Sequence, residues 1–122
     1  MRDCQGGIVV SANRLKDLIA DDRALGKTIA LANGCFDLIH VGHVRYLHAS
    51  SLEADRLIVA VNDDRSVAAL KGKGRPVQVA VERAEIVAAL NMVDYVIVFS
   101  EPTVTNLLRS FQPNVHCKGT DY

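Results

Sequence analysis

The apolar positions of this chain fall into two kinds of run, and the two kinds alternate. Leu15, Leu18, Ile19 and Leu25 recur at helical spacing between Ser11, a good helix N-cap, and Gly26, a good helix stop. Thr28 to Ala32 is then a short apolar strand. Residues from about Gly42 to Ala54 return to helical spacing, with Val44, Leu47 and Ser51 on one face. Arg56 to Asn62 (RLIVAVN) and Tyr95 to Phe99 (YVIVF) are unbroken apolar runs, as expected of strands covered on both faces. Between them lie a short helix over Asp63 to Leu70, a basic glycine-rich loop (KGKGRP) and a helix over Ala80 to Leu90. A last helix starts near Pro102 and runs to about Ser110, and Val115 to Lys118 is a short fourth strand.

Helices alternating with strands predict an α/β fold: a parallel sheet, helices on both faces, right-handed crossovers. Such sheets bind ligands beyond the carboxyl ends of their strands. That rule selects Asn33 to His43 after the first strand, Asn62 to Asp64 after the second, Ser100 and Glu101 after the third, and Lys118 to Asp121 after the fourth.

Composition narrows the options. The chain has 122 residues, 49% of them hydrophobic, which suits one domain with one core. Lys plus Arg and Asp plus Glu balance at 14 each, so the basic footprint of a nucleic-acid binder is missing. No apolar run approaches the roughly 20 residues of a membrane helix. Three cysteines, Cys4, Cys35 and Cys117, form no C-x-x-C pair, which fits a reducing cytoplasm.

The polar stretch NGCFDLIHVGH, Asn33 to His43, carries the candidate chemistry. Gly34 is expected to allow a tight turn and a close ligand approach. His40 and His43, three apart at a helix start, share a face, and the free N–H groups of the helix end add to an electropositive pocket suited to phosphate. Imidazole N–H groups would suit charge that grows during a reaction. The same two histidines with Cys35 or Asp37 could instead hold zinc. Phe36 reads as core, with its backbone on the ligand side. Asp37 either fixes the turn or contacts a ligand. Asp63 could hold an acceptor or simply cap the next helix. Arg83 lies on the apolar stripe of Val87 and Leu90, so it needs a ligand or an ion-pair partner, Asp94 or Glu82. Cys35 and Cys117 read as small core residues.

GCFDLIHVGH resembles the H-x-G-H signature of the cytidylyltransferase-like nucleotidyltransferases, and RLIVAVNDD, LKGKGRPV, ER before an apolar helix, VDYVIVF and KGTDY follow in that family's order. The later motifs look most like the branch that makes ADP-heptose from heptose 1-phosphate, in which the domain stands alone or is fused to a sugar kinase. The resemblance implies a Rossmann-like three-layer α/β/α fold with sheet order 3-2-1-4-5. It implies AMP transfer from ATP to a sugar phosphate with release of pyrophosphate, Mg2+ arriving with the triphosphate, and a homodimer through residues 91–95. It assigns His40 and His43 to the α/β-phosphates and lines the nucleotide side with Asn33, Gly34, Cys35, Phe36 and Gly42. It has Lys71 closing on the phosphates and makes Arg83 and Lys118 ligand contacts, with Asp37, Asp63, Gly119 and Asp121 toward the substrate. Lys73 is left as a solvated loop charge. The nucleophile would be a phosphate oxygen, already largely ionised at neutral pH, so no general base is required.

Relatives of this kind continue past KGTDY into another strand and a Ser/Thr-rich motif, whereas this chain stops at Tyr122. The expectation is therefore a single truncated domain, its fifth strand missing and its fourth an exposed edge. Gln78-Val79 and Glu101-Pro102-Thr103 also depart from the heptose branch and leave the sugar open. Two alternatives stand beside the adenylyltransferase: a cytidylyltransferase for glycerol 3-phosphate or a phospho-amino alcohol, and a non-catalytic nucleotide-binding module.

Overall fold

The computed structural model describes residues 6–101 and 103–119. Its elements are β1 (Ile8–Val9), α1 (Ala12–Ala24), β2 (Ile29–Gly34), α2 (Val41–Ser51), β3 (Arg56–Asn62), α3 (Asp64–Lys71), α4 (Ala80–Ala88), β4 (Tyr95–Phe99), α5 (Thr105–Phe111) and β5 (Val115–Cys117). The strands form one parallel sheet in the order β1-β4-β3-β2-β5.

Alternation along the strands divides the core in two. Ala30 and Ala32 of β2 and Leu57, Val59 and Val61 of β3 pack on one face with Leu47 of α2 and Ala84 and Val87 of α4. Ile29, Leu31, Ile58 and Ala60 point the other way, against Leu15 and Ile19 of α1 and Phe111 of α5. Every one of these residues is buried. Central strands that must satisfy two faces have no polar positions to spare, which is why β3 and β4 read as continuous apolar runs.

The four strands foreseen from the apolar pattern stand in the foreseen order, but the expected absence of a fifth strand is not borne out. The additional strand is β1, paired with β4 through Ile8 N–H to the Asp94 carbonyl (3.1 Å) and Val10 N–H to the Val96 carbonyl (2.9 Å). Two residues carry no periodicity, so the pattern could not reveal it. Gly7 makes the approach possible: a Cβ there would stand 2.7 Å from the Val93 carbonyl oxygen. Ser11 caps α1 as expected, accepting from Arg14 N–H at 3.2 Å. No helix among the described residues is long and apolar enough to cross a membrane.

The register decides where a site can form. Gly34 lies beside Val61, and Asn62 beside Phe99, so the carboxyl ends of β2, β3 and β4 open onto one side of the sheet.

Candidate active site

A cavity of about 460 Å³ lies at those carboxyl ends. Asn33, Gly34, Cys35, Phe36, Asp37, His40, His43 and Lys71, all expected in the site, line it. Its wall also takes in Leu38, Asn62, Leu70, Arg75, Phe99, Thr103 and Val104.

The two histidines are locked to each other. His40 is the N-cap of α2: its Nδ1 accepts the Gly42 N–H at 3.0 Å, while its own N–H donates to His43 Nδ1 at 3.1 Å. The rings stack obliquely, centroids 4.0 Å apart, and Phe36 backs His43 at 5.5 Å. With both Nδ1 atoms accepting, each neutral ring carries its proton on Nε2. His43 is 4% exposed. Its burial, then the neighbouring His40 and Lys71, hold its pKa below the ordinary histidine value. Two interlocked imidazoles therefore stand at a cavity with Lys71 and Arg75 on its wall.

The source of the polarity differs from the expectation of free helix N–H groups. In the first turn of α2, the Gly42 and His43 N–H groups are taken up by the His40 Nδ1 and carbonyl. The His40 and His43 rings line the cavity beside them. Gly42 does not line the cavity; it makes room for His40, whose Cε1 would be 2.7 Å from a Cβ at that position. Gly34 has no left-handed backbone either. The positive φ values of the turn fall on Phe36 (52°) and Leu38 (57°), while Gly34 completes β2.

Asp37 fixes the turn to a distant loop. Its side chain is 1% exposed and accepts from Arg75 Nη1 (2.8 Å), Val77 N–H (2.9 Å) and Gln78 N–H (3.0 Å). Burial alone would raise its pKa, but these donors together hold it below the ordinary carboxylate value. Asn33 is held by His116, which sequence reasoning missed: Asn33 Oδ1 and His116 Nε2 are 2.8 Å apart. Burial and then the nearby Lys118 depress the His116 pKa, favouring the neutral ring. Burial also pushes the Cys35 thiol up, against the opposing influence of Lys71 and Arg83, so the cysteine stays protonated.

Four residues expected in the site lie off the cavity wall. Arg83 is completely buried behind the cavity wall. It donates to the carbonyls of Gln78 (2.8 Å), Cys35 and Asn62 (2.7 Å) and pairs with Asp64 at 2.8 Å, neither Asp94 nor Glu82 being its partner. Asp94 is at the far end of the sheet, accepting from Leu57 N–H at 2.7 Å. Asp63 caps α3, accepting from Ser66 N–H at 2.9 Å, and is not on the cavity wall. Lys118 is exposed and lines a separate hollow with Glu53 and Tyr46; Gly119 is not on the wall of the main cavity. Asp121 lies outside the described residues.

Among the described residues, no three His, Cys, Asp or Glu side chains converge to hold a metal ion. Asp37, the carboxylate on the cavity wall, is already engaged by three donors.

A parallel α/β sheet with imidazole and cationic side chains gathered around a cavity at its carboxyl ends has its polar groups where ligands of such sheets bind. The chain belongs to the cytidylyltransferase-like family, whose model matches residues 31–122. It is 48% identical over 93% of its length to the bifunctional protein HldE of Ectopseudomonas mendocina (strain ymp) and 50% identical over 93% to that of Pseudomonas entomophila (strain L48). It spans about a quarter of the length of these curated relatives (24%). The crystal structure of the lipopolysaccharide core biosynthesis protein from Thermoplasma volcanium GSS1 is similar, with a TM-score of 0.67 and 31% identity over 75% of this chain and 73% of that one.

Proposed function

We propose that the chain is a nucleotidyltransferase domain that moves AMP from ATP to heptose 1-phosphate and releases pyrophosphate. The observation that carries this reading is the interlocked His40–His43 pair, its two imidazoles on the wall of a cavity that also takes in Lys71 and Arg75. The similarity to the HldE proteins and to a lipopolysaccharide core biosynthesis protein supports the heptose assignment.

The chemistry asks little more of the protein. The acceptor phosphate is its own nucleophile, so the work is in-line positioning and charge stabilisation. His40 and His43 donate to the phosphate oxygens where charge builds, and their rigid mutual bonds remove the need to reorganise. Lys71 and Arg75 neutralise the triphosphate, and magnesium, where it accompanies the triphosphate, would supply further positive charge. Asn33, steadied by His116, keeps its amide donors for a bound group. An enzyme acting on such small ionic metabolites suits the cytoplasm.

The test is pyrophosphate release from ATP or CTP, each paired with heptose 1-phosphate and glycerol 3-phosphate, in the presence of magnesium. Turnover with ATP and heptose 1-phosphate is expected. Turnover only with CTP and glycerol 3-phosphate would replace this reading by the cytidylyltransferase one. Nucleotide binding without turnover in any pairing would make the domain a non-catalytic module.

A further inference from the structure

The segment between α3 and α4 is tied to the rest of the fold chiefly through one side chain. Gly72 and Gly74 both adopt left-handed backbone (φ 92° and 82°), and a Cβ on either would meet nothing within 4 Å. The segment is thus hinged at its start and loosely packed there. At its other end Arg75, Val77 and Gln78 all donate to the Asp37 carboxylate, which is almost wholly buried beneath them although 38 to 41 residues away in sequence. Lys71, just before the hinge, and Arg75, within the segment, both face the cavity. Val77 is itself exposed, so apolar packing of that side chain does not hold the loop down. Charge-assisted bonds to the Asp37 carboxylate do, joined at the segment's end by the Arg83 bond to the Gln78 carbonyl.

We propose that Asp37 is a positioning residue that latches residues 72–78 to the cavity rim and thereby sets where Arg75 stands, beside Lys71, toward a bound triphosphate. The proposal rests on the nucleotidyltransfer reading for its substrate, but the latch itself concerns any polyphosphate held by those cations. Asp37 has no free lone pair aimed at substrate to explain its burial; its acceptors are spent on the loop. Linkage gives the idea a sharp consequence. If the latched loop favours the anion, the anion must favour the latched loop by the same factor.

The experiment uses inorganic tripolyphosphate as the probe. Hydrogen exchange at the Val77 and Gln78 amides of the unmodified chain is expected to slow when tripolyphosphate binds. Asp37→Asn, which keeps the shape but loses the charge, is expected to weaken tripolyphosphate binding by calorimetry about tenfold and to speed exchange at both amides. In the turnover assay the KM for ATP should rise by a similar factor while the KM for the sugar phosphate holds. Unchanged exchange on tripolyphosphate binding overturns the latch even if every Asp37 variant fails to fold. A folded Asp37→Asn protein with fast exchange and normal tripolyphosphate affinity overturns it too. Absence of turnover in the unmodified chain would instead strike the nucleotidyltransfer reading and leave the exchange and calorimetry results to judge the latch.

Discussion

At Gly42 helix propensity and site geometry pull in opposite directions. Alanine in place of glycine within a helix is normally stabilising by up to about 1 kcal/mol. Here its methyl would meet the His40 ring, which must swing off the Gly42 N–H. Gly42→Ala is therefore expected to melt no lower than the parent yet lose about 100-fold in kcat/KM, because a displacement near 1 Å costs that much in a pre-positioned site. Thermal melts and initial rates on the same preparation check both halves. His43 supplies a pH signature. Its folded pKa lies below the ordinary value of 6.5, so the unfolded chain takes up its proton first. The stability held by neutral His43 is complete above pH 6.5 and declines as pH falls from there through the folded pKa. His116 has the same sign, whereas the Asp37 contribution is lost only below its ordinary value of 3.8. Urea unfolding at pH 7.5 and pH 5 should show a loss in the parent that shrinks in His43→Gln.

Between elements, Arg83 on α4 joins the ends of β2 and β3, the start of α3 and the segment before α4. Arg83→Met would leave three carbonyls without their donor, at a cost of about 3 kcal/mol or more. A urea titration of Arg83→Met should show that loss, and a midpoint near the parent's would mean the hub is dispensable. This scale also shows what sequence can reveal. β3 and β4 were legible to the residue, because strands buried on both faces must be apolar throughout. β1 was not, being two residues held by pairing and a close glycine. The histidine pair was legible because its parts are three residues apart. Arg83 pointed to a need for partners, but those partners are mostly carbonyls, which every residue has and no pattern marks. The Asp37 clamp and the Asn33–His116 pair join residues about 40 and 83 positions apart, contacts that only the folded chain displays.

For the whole molecule, a charge-balanced chain concentrates its usable polarity at one place. The formal net charge is zero, yet Lys71, Arg75 and two histidines meet at the carboxyl ends of the sheet. The attraction for a phosphate group is thus local, and it is screened by salt less than a broad surface field would be. The helices on either face hold the strand ends in register, and the strand ends hold the groups. Catalysis by such a site requires that both imidazoles be present and that their removal leave the scaffold standing. The decisive measurement is pyrophosphate release from ATP and heptose 1-phosphate by the parent, His40→Ala and His43→Ala, with circular dichroism melts alongside. Each variant should remain folded and lose about 100-fold or more in kcat, the size expected for one preorganised donor to a charged transition state. Parent-like turnover in folded His40→Ala and His43→Ala would contradict the assignment of this pair to the reacting phosphates.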